Sequence, residues 1–519
     1  MDRPRGSSTR ARRTRLSTPM RHHRLSRRRA IEILAGLGAT VACGMGSVLR
    51  AQTQSARAGR REFNVRDFGA AGDGSTLDTA AVQRAIDAAA AVGGRVIVPG
   101  GRSYLVGTLE LKGGIDFHLA DDAVLRASTR PEDYTGGAAV LAAVRGRRDR
   151  VAGLEPDPAE RAANLLTAHE AHGLSISGTG RIDGRFREFI ANYDEKDEWW
   201  RPGPFRPNLA VLFGCRDLEV RDLTFHDAAI RSLHLVGCEH VLVDGVKIRS
   251  QLDMPNTDGI DPDHCRDVEI RNCDVVCGDD AITVKASRAF ASWGESSNIR
   301  VHDCVIETQD AGLKIGTETA CPVHHVRFER CTIRGSSRGL CIQLRDEADV
   351  HDILFRDITF KARCHSDPWW GRGEAISFTA LPRTAATRLG RLQDIRVENV
   401  TGFAENSVRI SGCRESRIQG VTFDNVAVTL DRESKYRGGA WDNRPTASAY
   451  PPIEEHGIPG IGVRWADNVA LRRCRISWGA HRPDYFTHAL EARDVTGLSH
   501  PGFVGESAHP ERDAAVAVS

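Results

Sequence analysis

The sequence predicts an all-β chain wound as a right-handed parallel β-helix, with a short helix capping its N-terminal end. Three observations predict it: turns that begin alike at intervals of about 20 to 27 residues, an apolar column that recurs in every turn, and cysteines that recur in the same phase. A length of 519 residues would suggest several domains, but a stacked repeat grows long as one unit.

The first 51 residues read as an export segment and not as part of the fold. Eleven arginines precede Ala30, Ser26-Arg27-Arg28-Arg29-Ala30-Ile31 is similar to a twin-arginine signal, and the weakly apolar stretch Ile31 to Leu49 ends at a small residue, Ala51. The expected destination is periplasmic or extracellular. Beyond residue 51 the chain carries 59 basic against 67 acidic side chains, which argues against a nucleic-acid partner. No later stretch approaches the ~18 continuous apolar residues of a membrane span, so no membrane role is expected after signal removal.

A single β-helix domain is expected over residues 60–480. Phe63-Asn64-Val65 and Phe68-Gly69-Ala70 lead into a helix around Asp78 to Ala91, which caps the stack, followed by Arg95-Val96-Ile97-Val98 as its first strand. Residues 128–208 and 431–458 show few clear turns and many Pro, Gly and charged residues, so they read as loop-rich insertions; residues 481–519 read as an irregular tail.

The repeat is plainest from residue 215. Cys215-Arg216-Asp217-Leu218, Cys238-Glu239-His240-Val241 and Cys265-Arg266-Asp267-Val268 open successive turns, and later turns begin at Ser297, Val323, Val350, Leu392 and Cys413. A second strand aligns within each turn, and its side chains alternate with period two. Ile260, Ile282, Leu313, Leu340, Ile376 and Val408 therefore point one way as the core ladder. Cys215, Cys238, Cys265 and Cys413 share one phase, and Cys273, Cys304 and Cys331 another, which marks them as small buried residues; disulfides between some stacked neighbours remain open. A chain that closes its core on itself in this way is expected to be a monomer.

Two acidic clusters stand about one turn apart, Asn256-Thr257-Asp258-Gly259-Ile260-Asp261 and Gly278-Asp279-Asp280-Ala281-Ile282. Strand alignment puts Asp258, Asp279 and Asp280 at one edge of the stack. Like charges so close are unfavourable, and at least one should hold its proton to higher pH than a free aspartate. Inverting glycoside hydrolysis asks for such a set: a protonated carboxyl gives its proton to the leaving oxygen, and carboxylates roughly 6.5–9.5 Å away activate a water.

The ordered pair Asn-Thr-Asp-Gly and Gly-Asp-Asp-Ala-Ile, with Lys285 following, resembles the polygalacturonase family, glycoside hydrolase family 28; Asp67-Phe68-Gly69-Ala70 and Asp73-Gly74 also recur in related β-helix enzymes. The resemblance implies Asp279 as general acid, Asp258 and Asp280 holding the attacking water, Asn256 and Lys285 shaping the site, a pectin-type polysaccharide as substrate, and neither cofactor nor metal. The chain departs from that family in two places. Asp310-Ala311-Gly312 stands where the family has Gly-His-Gly, and Cys341-Ile342-Gln343 where it has Arg-Ile-Lys. Those elements orient the acid and bind a galacturonate carboxylate, so an exo-acting galacturonidase, a rhamnogalacturonan-type hydrolase or a rhamnosidase fits better than an ordinary endo-acting enzyme.

Replacement cations are sought on the same outward face, where Lys314 precedes Cys341 by one turn and Arg345 follows Gln343. Each also has a bland reading as a strand residue. Trp369 and Trp370 suit stacking on sugar rings or simple packing, with Trp199 and Trp200 as weaker candidates; His264, near the acidic turn, is the one histidine worth testing. Two other functions fit the same residues. In a pectate-lyase-like enzyme Asp258, Asp261, Asp279 and Asp280 would coordinate Ca²⁺, and a non-catalytic carbohydrate-binding β-helix would need no acid at all.

Overall fold

A computed structural model describes residues 59–134, 163–446 and 450–519. Residues 1–51, expected to be an export segment, and part of each loop-rich stretch lie outside the described residues. From Arg61 onward the chain forms one compact unit. Thirty-five of its strands join into one continuous parallel β-helix.

The helix α1 (Thr79–Ala90) buries Ala81, Val82, Ala85, Ile86 and Ala89 against the first turns. The Asp78 carboxylate before it accepts the N–H groups of Ala71 at 2.7 Å and Gly72 at 3.0 Å, fixing the chain that leads into the cap. No described helix is long and apolar enough to cross a membrane.

One strand column carries the site: β1 (Leu233–Val236), β2 (Ile260–Asp263), β3 (Ile282–Ala286), β4 (Ala311–Thr319), β5 (Arg338–Leu344), β6 (Glu374–Ala380) and β7 (Asn406–Ser411). Their register runs Leu233↔Ile260↔Ile282↔Leu313↔Leu340↔Ile376↔Val408, the core ladder expected from the alternation. Phe328, Phe355 and Phe378 stack in the same interior, with centroids 4.9 and 5.6 Å apart.

Near the start of one strand in each turn, a single residue in the left-handed region bends the chain. Asp217, His240, Asp267, Asn298, His325, Asp352 and Asp394 all have φ between 53° and 57° at the same phase of successive turns. Asp, Asn and His tolerate this conformation better than most residues with a Cβ, so the polar residues that break each sequence repeat are its bends.

The twelve described cysteines are free thiols, and all but Cys321 are buried. Two regions are more regular than composition suggests. Within 128–208, Asn164–His169, Ser175–Gly178 and Arg181–Asp183 are rungs of the stack, and Ile190–Asp194 pairs with Trp199–Pro202 as an antiparallel hairpin. In the supposed tail, Leu490–Thr496 pairs in parallel with the rung before it, Ile461↔Leu490, because Leu490 and Ala492 extend the apolar ladder by one more turn.

Candidate active site

The two acidic turns are locked together by backbone contact. Thr257 Oγ1 donates to the Met254 carbonyl at 2.8 Å and accepts the Gly278 N–H at 2.8 Å. A Cβ on Gly278 would lie 2.1 Å from the Met254 oxygen, and one on Gly259 would lie 2.3 Å from the Ala281 oxygen. The glycine in each motif thus allows the close approach of the two turns.

That approach brings one oxygen each of Asp258, Asp279 and Asp280 within 4.8 Å of one another. Asp279 is set by peptide groups: the Asn256 N–H donates to Oδ2 at 3.0 Å and the Asp280 N–H to Oδ1 at 2.9 Å. The Asn256 side chain points elsewhere, accepting from Arg206 Nη2 at 2.9 Å, and Arg206 also donates to the Ala229 and Pro255 carbonyls at 3.1 Å. Burial pushes the Asp279 carboxyl well above the usual range, helped by the charges of Asp258, Asp310 and Asp280.

The other two acids are salt-bridged. Lys285 Nζ lies 2.7 Å from Asp258 and 2.8 Å from Asp261, while Arg231 Nε lies 3.6 and 3.3 Å from the same oxygens. Burial opposes ionisation of Asp258, but Lys285 and Arg231 outweigh it and hold its carboxyl below the ordinary value. Asp261, buried and beside Asp258, is pushed upward instead. Lys314 Nζ lies 2.6 Å from Asp280 Oδ2.

Asp310 enters the cleft from the turn just before β4. Its carboxyl is pushed up to about 7 by burial and by Asp280, against the pull of Lys314 and Arg338. Arg338, fully buried, reaches Asp310 at 3.2 Å and Asp442 at 3.4 Å.

The cleft encloses about 480 Å³, lined by Asn256, the three aspartates, Lys285, Lys314, Trp369 and Trp370, together with Arg231, Asp310, Arg383 and Trp199. This volume suits one or two sugar residues. Trp369 is nearly buried and meets Trp199 edge to face at 5.8 Å, so the tryptophan that lines the wall also packs it. Trp200 lies outside the lining, against Tyr193 at 4.8 Å and hydrogen-bonded to Asp253 at 3.1 Å.

Arg345 does not reach the cleft. Its side chain is fully buried and donates to the Pro445 carbonyl at 3.2 Å, the Thr379 hydroxyl at 3.0 Å and the Asn443 carbonyl at 3.3 Å. It follows β5 directly, in the outward phase of Cys341 and Gln343, but the 443–445 segment folds over that face, which a count along the strand cannot show. His264 is likewise buried, its ring bridging the carbonyls of Gly294 and Ser287. Sequence reasoning missed Arg231 and Arg383 as cleft residues: Arg231 stands in the turn just before β1, one rung ahead of the acids, and Arg383 in a turn outside the repeat.

The comparisons with known proteins agree with this geometry. The family model for glycosyl hydrolases family 28 matches residues 154–438, and one for rhamnogalacturonase A/epimerase, pectate lyase-like, matches residues 62–117. A protein named probable polygalacturonase from Vitis vinifera is 29% identical over 62% of this chain and 65% of its own length. An exo-poly-alpha-D-galacturonosidase of Dickeya chrysanthemi is 24% identical over 65% of this chain and 62% of its own. The alignments span 65%, 54% and 50% of three such relatives, so half to two thirds of their lengths. In fold, the chain is similar to a family 28 exopolygalacturonase of Yersinia enterocolitica, with a TM-score of 0.64 at 18% identity over 85% of this chain and 79% of that one. Motif, rung register and a family match over more than half of the sequence converge: the chain belongs to the glycosyl hydrolases of family 28.

Proposed function

We propose that the protein hydrolyses α-glycosidic bonds of a pectin-type uronate polysaccharide, with Asp279 as general acid and Asp258 and Asp280 holding the attacking water. One observation carries the reading: of three clustered carboxyls, two are salt-bridged by Lys285 and Lys314, and the third, Asp279, has only peptide N–H partners among the described residues and a raised pKa. Asp279 is the group that keeps a proton to give, and Asp258, held ionised by Lys285 and Arg231, is the one to take a proton from water, with Asp280 placed beside it by Lys314. Asn256, Lys285 and Lys314 act by holding these acids in place.

Inversion is the outcome expected when two carboxylates hold a water opposite the acid. The short separation favours a second reading. Oxygens within 4.8 Å are closer than the roughly 6.5–9.5 Å usual for inversion and near the ~5 Å usual for retention, with Asp258 or Asp280 as nucleophile. The anomeric NMR signal of newly released ends decides: an inverted signal from the wild type and none from Asp279→Asn supports the proposal, and a retained one establishes the second reading.

A calcium lyase is less well supported, because three of the four carboxylates it would recruit, Asp258, Asp261 and Asp280, are already matched by Lys285, Lys314 and Arg231. Unsaturated uronate products would reverse that judgement. Exo action is supported by the walls of the cleft. The hairpin 190–202 brings Trp199 and Pro202 to the lining and is tied to two other segments, Glu198 to Lys435 and Tyr436, and Ser366 to the Asp197 carbonyl. Such a substrate lies outside the cell, which accords with the twin-arginine-like segment at residues 26–31.

A further inference from the structure

The cleft presents four cations, and three are engaged by its acids: Arg231 and Lys285 by Asp258 and Asp261, and Lys314 by Asp280. The fourth, Arg383, stands in the turn after β6 and is held from behind. Its Nε donates to Asp346 Oδ1 at 2.8 Å, and its Nη2 donates to Asp346 Oδ2 at 2.9 Å and to the Thr317 carbonyl at 2.7 Å. A guanidinium has five N–H donors, so three are used, and the two on Nη1 have no partner among the described residues.

Asp346 does not belong to Arg383 alone. It is 3% exposed, accepts the Thr319 N–H at 3.0 Å and lies 3.9 Å from Arg288 Nη2, so two cations share its charge. Glu318 also lines the cleft and its charge acts on Arg383 from a distance, but no ion pair within hydrogen-bonding reach joins the two among the described residues, so the Nη1 edge stays open. The strand positions where family relatives carry cations cannot do this work: Cys341 is fully buried, and Gln343 Nε2 donates to the Arg444 carbonyl at 3.0 Å.

We infer that Arg383 is the specificity residue of the cleft, its free Nη1 edge binding the carboxylate of one uronate ring in place of the cation absent at 341 and 343. The inference rests on the proposed uronate substrate. A planar guanidinium fixed by a buried carboxylate loses little freedom on meeting a second one, and the hydrogen bond it makes is charge-assisted. It selects a uronate over the neutral hexose of the same shape.

The test is isothermal titration of the Asp279→Asn protein with trigalacturonate and with its carboxyl-reduced counterpart, with and without Arg383→Gln. Arg383→Gln is expected to weaken trigalacturonate by roughly 10- to 100-fold, leave the reduced sugar unchanged, and be partly rescued by Arg383→Lys. Thermal melts confirm that the variants fold. Equal loss for both sugars, no loss, or no trigalacturonate binding before substitution overturns the inference. Hydrolysis by the wild type, measured alongside, separates the two readings: Arg383-dependent binding without cleavage overturns only the hydrolase, and cleavage with Arg383-independent binding overturns only this assignment.

Discussion

Lys314 and Asp280 meet at 2.6 Å with side chains 3% and 6% exposed, across adjacent rungs of the stack. An ammonium and a carboxylate this deeply buried stabilise each other only as a pair. Lys314→Met is expected to leave Asp280 an uncompensated buried charge, costing about 3–5 kcal/mol in denaturant unfolding. It should also lower kcat more than it raises KM, since Asp280 then loses the Lys314 contact that fixes it beside the water. Unchanged stability would show that the pair is not formed in solution.

Asp310 should set a pH dependence in both stability and rate. Its folded pKa of about 7 lies above the ordinary 3.8, so the folded state binds its proton more tightly. The associated stability is full below about pH 4 and is lost as pH rises through about 7. Asp310→Asn is expected to flatten thermal stability across that window.

The same substitution removes one of the negative charges that raise Asp279. The alkaline limb of kcat/KM should therefore move to lower pH in Asp310→Asn, because the acid then loses its proton sooner. An unmoved limb would mean that Asp279 does not govern it.

The clasp that holds the hairpin 190–202 against the cleft wall should control product size. Glu198→Ala with Tyr436→Phe removes the ties between the hairpin 190–202 and residues 435–436. Chromatography of polygalacturonate digests is expected to shift from short end-products toward mixed oligomers. If the profile is unchanged, the hairpin does not block the chain.

Arg345 offers a contrast with Arg383. Burial, with the charges of Arg383 and Arg338, lowers its pKa to about 9, and its donors hold the 443–445 segment. Arg345→Met should destabilise the fold by about 1–3 kcal/mol by leaving buried carbonyls unpaired, with no change in preference for uronate over neutral sugar. Calorimetry and the sugar pair above check both halves.

The fold was legible because each rung repeats the same physics. Core positions such as Ile260, Ile282 and Leu313 alternate with outward ones, and bends such as Asp217 and Asp267 carry residues suited to left-handed backbone. The acids were legible because Asp258 and Asp279 are spaced by the rung. Arg383 and Arg345 were not: both depend on where non-repeating segments fold back, which no period encodes. Leu490–Thr496 was missed because one rung after a long gap offers no repetition to detect.

The contact of Gly259 and Gly278 with the turns beside them makes the rung spacing itself the ruler of the acidic site. Asp258 and Asp279 stand on consecutive rungs, so the distance between them is a lattice constant of the fold and not a property of any loop. Descendants of such a chain can lengthen the stack at either end or exchange the hairpin and the 366–372 wall, altering which polymer is admitted, while the spacing of the reacting groups passes on unaltered.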